Sequence, residues 1–311
     1  MYYYMIKNNK FIIQPEKEIT KCAPSKTFSE NSCFTLESLQ KLAEAYNNEN
    51  GAKQIKITNS KSKLINDLSN RIVECGSDQL CWLDVEWVKN IKDYEIHKNT
   101  FRPQGPQGRF KWLSTTNIND IVFQYEDKYS EFKFLGAVPY DFENLEQLGI
   151  SDINFDELLL LNKYKIGMVI NLDEHWKKGS HWVGLYANLK TSEIYYFDSY
   201  GYKPKNYICN FVKKIALWSY NKYYRNTQEG GSDETSDTES QFMKPTKNKY
   251  EKIMNIDYNK NRHQFKSSEC GVYSVNFILR LLKGESFNNI CNNITPDDKV
   301  NKCRDIYFRF N

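Results

Sequence analysis

The chain predicts an α+β (α/β) protein in which a mainly helical N-terminal part is followed by consecutive strands and then by a long apolar helix. Three observations lead to that class. Apolar residues recur at helical spacing in the first third of the chain, and between residues 168 and 198 the pattern changes to short β-rich runs. A Pro/Gly/Gln stretch, FRPQGPQGR at 101–109, separates the two regimes.

The N-terminal part, residues 1–108, begins its helical pattern with Leu36, Leu39, Ala43 and Tyr46 on one face. Thr35 precedes them, and its hydroxyl can accept from the first free N–H groups. Leu64, Ile65, Leu68 and Ile72 define a second helix, and Trp82, Leu83, Val85, Trp87 and Val88 form a third apolar cluster. The 101–109 stretch suits an exposed connection and marks a domain boundary, leaving 109–311 as the second unit. There Asn117 is expected to cap a helix carrying Ile118, Ile121, Val122 and Tyr125. Met168 to Asn171, His181 to Asn188 and Glu193 to Asp198 read as strands, with a further one at Ile253 to Tyr258. From Cys270 onward, Val272, Tyr273, Phe277, Ile278, Leu281 and Leu282 mark a buried helix. Residues 226–240 hold five acids and no large apolar group, so a flexible acidic insert is expected over 226–248.

Composition narrows the functional classes. A chain of 311 residues can bury a core without metal or disulfide staples, and 40% hydrophobic residues is a globular content. A net charge of +4 is too mild for a protein that coats nucleic acid along its whole surface. No run of 18 apolar residues occurs, and the first residues lack the order of a secretory signal, so a soluble intracellular protein is expected. The eight cysteines include no CxxC pair, which argues against a zinc ribbon or a thioredoxin-like motif. They are expected to be reduced, seven of them as small apolar packers. No metal and no cofactor is expected.

The eighth thiol, Cys270, stands apart by position. If 193–198 pairs with 181–188 about a turn between Leu189 and Lys190, facing residue numbers sum to about 379, which sets His181 opposite Asp198. A carboxylate there would accept the imidazole Nδ1 proton and orient the ring. Cys270 starts a helix, where free N–H groups and the positive end of the macrodipole favour a thiolate. Gly271 would let a substrate backbone approach, and Gln264, upstream of the helix, could join the Cys270 N–H in stabilising an oxyanion. His175 breaks the register with Asp198, and Glu269 is expected to face solvent. These are the parts of a cysteine nucleophile with its base, orienting acid and oxyanion donor.

The strings Gly179-Ser-His-Trp-Val-Gly-Leu-Tyr186, Tyr196-Phe-Asp-Ser199 and His263-Gln-(x5)-Cys-Gly-Val-Tyr273 resemble the cysteine peptidases that include the adenovirus protease and the SUMO proteases. Trp112-Leu-Ser-Thr-Thr and Phe134-Leu-Gly-Ala-Val-Pro139 are similar to the branch of large cytoplasmic DNA viruses, to which the African swine fever virus protease belongs. The resemblance covers 109–311. It implies a papain-like core with a central mixed sheet flanked by helices. It also implies His181 as base, Asp198 as its orienter, Gln264 as oxyanion donor and Cys270 as nucleophile. Trp182 would line a narrow cleft that admits small residues before the cut.

The resemblance further implies an endopeptidase that processes viral polyproteins or structural precursors at Gly-Gly-like bonds during virion maturation, in the virion and the host cytoplasm. Its polypeptide substrate is the expected partner, without membrane insertion. Removal of a ubiquitin-like modifier is the alternative within the enzyme class, and a non-catalytic nucleic-acid- or protein-binding module is the alternative outside it. Residues 33–72 look like a SAP-type helix–loop–helix. Five basic residues against one acid between 51 and 71 allow a weak nucleic-acid contact through this arm.

Overall fold

The computed structural model describes residues 21–51, 53–225 and 254–309; the expected acidic insert lies outside the described residues. The chain divides into two units. Of the described residues, those from Pro106 to Arg304 form one, and those up to Gly105 form the other together with those from Asp305.

In the N-terminal unit, helix α1 (Leu36–Glu49) starts where expected, with Thr35 Oγ1 accepting from the Ser38 N–H at 3.0 Å. Helix α2 (Lys61–Arg71) is capped in the same way by Ser60. Leu39, Leu42 and Ala43 of α1 meet Leu64 and Leu68 of α2 in a core completed by Phe34, Trp82, Val88 and Ile96. The Trp82 indole N–H donates to the Gly76 carbonyl, so the ring is buried without stranding its polar edge.

Two expectations are corrected in this unit. Cys22 pairs with Cys33 and Cys75 with Cys81, leaving Cys209, Cys270, Cys291 and Cys303 as thiols outside any disulfide. The chain's own turns bring the partners together. Cys75 lies in a turn closed by Asp78 N–H to Cys75 O, and the Asp78 side chain caps the Gln79–Trp82 turn that presents Cys81. The Cα separations of 5.2 and 5.5 Å suit a disulfide. The 101–109 stretch does hold the boundary between the units, between Gly105 and Pro106, but the chain end does not stay in the larger unit. Phe101 bridges to Cys22, Gln104 bridges to Arg309, and the Arg309 N–H donates to Pro103 O. These backbone partners draw the last residues, expected in the larger unit, into the N-terminal one.

The larger unit is built on a mixed five-stranded sheet: β1 (Phe132–Val138), β2 (Lys165–Asn171), β3 (Trp182–Asn188), β4 (Glu193–Phe197) and β5 (Asn255–Tyr258), in that spatial order. The outer pairs are parallel and the inner ones antiparallel. Helix α3 (Thr115–Val122) precedes it, and its cap is Ser114 rather than Asn117. Asn117 sits three residues in and returns a bond to the Ser114 N–H, closing a capping box.

Six consecutive buried residues in β3 require cover on both faces. One face receives helix α4 (Asn206–Tyr220), which was absent from the sequence reading. Its Ile208, Phe211 and Ile215 join Met168, Ile170, Val183, Leu185 and Tyr196 in one core. The other face receives helix α5 (Cys270–Leu282). A Cβ on Gly184 would lie 2.9 Å from the Phe277 ring and 3.3 Å from the Ser274 carbonyl, so the missing side chain in β3 lets α5 lie directly on the sheet. Phe277 in turn stacks on Phe197 of β4, ring centres 5.0 Å apart.

The start of α5 is also tied down by charge. Glu269 is buried, against expectation: its carboxylate accepts from Asn301 Nδ2 at 2.8 Å and Ser268 Oγ at 2.9 Å, and it pairs with the fully buried Arg304 at 3.1 Å. A carboxylate can sit inside only because a guanidinium and two neutral donors replace its water. Arg304→Ala is therefore expected to destabilise the protein by about 3–5 kcal/mol, while replacing both Glu269 and Arg304 by apolar residues of similar size costs far less; denaturant unfolding of the three variants checks this. The disulfides carry a second expectation: denatured, unreduced protein titrates four free thiols with a thiol reagent, and reduced protein titrates eight.

Candidate active site

β3 and β4 pair so that Leu185 faces Tyr196 and Gly184 faces Phe197. Facing residue numbers thus sum to 381, not 379, because the turn lies one residue later than assumed. The shift of two preserves the side of the sheet, so Asp198 stays on the His181 side as a diagonal neighbour. The position facing His181 becomes Tyr200.

His181 Nε2 donates to Asp198 Oδ1 at 2.8 Å. This corrects the expected use of Nδ1: the carboxylate holds Nε2, and Nδ1 is left for the thiol. Cys270, the first residue of α5, is close enough to His181 for its side chain to act on the imidazole. Burial alone would lower the imidazole pKa, but the hydrogen bonds and charges of Asp198 and Cys270 overcome it and push it up to about 9. The ring is therefore an imidazolium at neutral pH, with Cys270 in position to be its thiolate partner.

Asp198 is fully buried and has two tasks. Its Oδ1 also accepts from the Tyr200 N–H at 2.8 Å, and its carbonyl accepts from the Gly201 N–H at 2.8 Å, so it closes the turn after β4 as well as orienting the histidine. Gly201 sits at φ 80°, where a side chain would be strained.

Gln264 is fully buried and bound to the same turn. Ser199 Oγ donates to its Oε1 at 2.6 Å, and the Ser199 carbonyl accepts the backbone N–H groups of His263 and Gln264. The amide nitrogen donates one hydrogen to the Lys266 carbonyl at 2.6 Å and keeps a second. Neighbouring His263 is structural: Nδ1 accepts from the Thr295 N–H, Nε2 donates to Cys291 O, and burial holds its pKa below the ordinary value.

Trp182 packs beside the nucleophile. Its indole N–H donates to the Leu113 carbonyl at 2.9 Å. A Cβ on Gly271 would meet Leu113 Cβ at 3.1 Å and Trp182 Cδ1 at 3.3 Å. A side chain at 271 would press on these two residues, which gives the glycine a packing reason of its own. The Trp182–Leu113 bond also fixes the segment carrying Trp112, which is half exposed.

His175 is not part of this group. Its Nδ1 meets Asp141 Oδ2 at 2.6 Å and its N–H donates to Asp141 Oδ1, which anchors the loop between β2 and β3. The sequence reading missed Tyr200, whose ring stacks on His181 with centres 4.7 Å apart. Only the correct register points to it.

The chain is similar to known proteases. Residues 115–310 match the Ulp1 protease family, C-terminal catalytic domain. A protein of Acanthamoeba polyphaga mimivirus named as a thiol protease is 35% identical over 308 residues, covering 93% of each chain. A SUMO-1 cysteine protease of African swine fever virus is 20% identical over 229 residues, 67% of this chain and 72% of that one. A crystal structure of an African swine fever virus protease shares the fold, with a TM-score of 0.60 at 17% identity, covering 94% of this chain and 96% of that one. The chain belongs to the Ulp1 protease family and is a cysteine peptidase, SUMO-protease-like and of viral kind.

Proposed function

We propose that the chain is an endopeptidase in which Cys270 is the nucleophile, His181 the base and acid, Asp198 the group that orients it, and Gln264 the oxyanion donor. The observation that carries this reading is the Asp198–His181 hydrogen bond, with Cys270, at a helix start, acting on the same imidazole. The Cys270 thiolate attacks the scissile carbonyl carbon, and the carbonyl π-electrons move to oxygen. That oxyanion takes hydrogen bonds from the Cys270 N–H, which has no partner within its own helix, and from the second Gln264 amide hydrogen. Collapse of the intermediate expels the amine, which takes the proton from His181. Water, deprotonated by His181, then releases the acyl group as acid and restores the thiol.

The substrate reading rests on Trp182. With Leu113 it covers the glycine next to the nucleophile, a setting suited to chains with little side chain before the cut, such as Gly-Gly. Together with the viral relatives this favours maturation of viral polyproteins or structural precursors, in the virion and the host cytoplasm. The SUMO-protease name of one relative supports the second reading, removal of a ubiquitin-like modifier. Incubation with viral structural precursors and with ubiquitin-like fusions separates them; cleavage of the fusions alone overturns the first.

The N-terminal arm forms the expected two helices, but Lys61 is bound internally by Ser29 Oγ and Ser32 O. That leaves Lys53, Lys56, Lys63 and Arg71 for phosphates, which favours an arm that serves the protein substrate over one that binds nucleic acid. Binding of duplex DNA by the full chain that weakens steeply with salt would reverse this preference.

Cys270→Ala is expected to remove turnover of a Gly-Gly substrate, a loss on the order of 10⁶-fold. Gln264→Ala is expected to lower kcat by about 100-fold or more with KM little changed. The imidazolium form exists below the His181 pKa and is lost above it, so kcat/KM falls on the alkaline side near pH 9. In Asp198→Asn the raising influence of the carboxylate is gone, so this limb moves to lower pH and kcat drops roughly 10²- to 10⁴-fold. Steady-state kinetics across pH checks both.

A further inference from the structure

Tyr200 and Arg262 form a small assembly against the catalytic histidine that neither the family motif nor the proposed mechanism uses. The Tyr200 ring stacks on the His181 imidazole, centres 4.7 Å apart and planes 24° from parallel. The Arg262 guanidinium lies over the same ring at 5.2 Å and over the ring of Phe265 at 4.9 Å. Arg262 Nε donates to the Gln264 carbonyl at 2.8 Å, and the Tyr200 N–H donates to Asp198 Oδ1 at 2.8 Å. Every other member of the proposed site except Cys270 is thus one contact from this pair.

We infer that Tyr200 and Arg262 are positioning residues for the peptidase reaction, with Tyr200 holding the imidazole plane and favouring its charged form, and Arg262 locking Tyr200 to the Gln264 segment. The inference rests on the assignment of His181 and Cys270 given above.

Asp198 fixes one ring nitrogen of His181, but a single hydrogen bond leaves the ring free to rock about it. A stacked aromatic face removes that freedom and attracts an imidazolium more than an imidazole, because the ring quadrupole is negative on its face. Tyr200 stands on a turn and is only half-buried, so it needs its own support. Arg262 supplies it with a planar cation on the aromatic ring and a hydrogen bond from Nε to Gln264. A lysine could provide the charge but neither the plane nor the directed Nε bond. The groups facing His181 are Asp198 from the end of β4, Cys270 from α5 and Tyr200 from the turn. Arg262 opposes the imidazolium as a like charge, so its contribution is mechanical.

This arrangement separates the two residues experimentally. Tyr200→Leu keeps bulk but loses the π face. It is expected to lower kcat about 10-fold with KM unchanged and to move the alkaline limb of kcat/KM down by roughly one pH unit. Tyr200→Phe keeps the face and is expected to restore both. Arg262→Met, at an exposed position where folding is not at risk, is expected to lower kcat several-fold, and Arg262→Lys is expected not to rescue it. Circular dichroism and thermal melts establish that each variant is folded, and Cys270→Ala is measured in parallel. A Tyr200→Leu enzyme with wild-type kcat and an unmoved limb overturns the inference. If that variant does not fold, wild-type kcat in Arg262→Met overturns it. Residual turnover in Cys270→Ala overturns instead the site assignment on which it rests.

Discussion

The close approach of the Cys270 helix to the sheet is the constraint on which the rest of the larger unit depends. Gly184 has no side chain where Phe277 and the Ser274 backbone come down on β3, so a helix that is buried along nearly its whole length can lie on a strand that is buried too. Because that seat is rigid, the helix start is delivered to the end of the sheet where β3 begins and β4 ends. His181 and Asp198 stand at those two strand ends. A bulkier residue at 184 would lift the helix, and the thiol with it.

The helix start then has an electrostatic difficulty of its own. Glu269, one residue before the nucleophile, is buried, and an uncompensated carboxylate there would oppose a thiolate. Arg304 and Asn301 answer it from the far side, so the negative charge near Cys270 is neutralised within the core. The positive charge that remains for the thiol is that of His181, supported by Asp198. The structure thus spends two ion pairs on one helix terminus, one to make it buried and one to make it reactive.

Much of this was legible in the residues because it rests on short-range periodicity. Period two puts His181 and Asp198 on one side of a hairpin in either register, so the pair survives an error of two in the facing sum, although the identity of the facing residue, Tyr200, does not. Helical spacing marks α1, α2 and α5, and Thr35 caps α1 as its type suggests. What was not legible depends on partners distant in sequence. Glu269 is buried because of Arg304, thirty-five positions on, and the 101–109 stretch is ordered by Arg309. The Cys22–Cys33 and Cys75–Cys81 pairs depend on turns that the apolar pattern does not encode. Helix α4 carries the helical signal in full, with Ile208, Phe211, Val212 and Ile215 at spacings of three and four, and Ser114 is easily passed over because Asn117 is an equally good cap by type.

The central claim is that Asp198, through Nε2, keeps His181 charged beside Cys270. Nitrogen NMR of the histidine-labelled protein tests it directly, following the His181 ring through a pH titration. The expected result is a proton on Nε2 throughout and a titration near pH 9 in the wild type that falls in Asp198→Asn. A titration at the ordinary histidine value of about 6.5, unchanged by that substitution, would contradict the account.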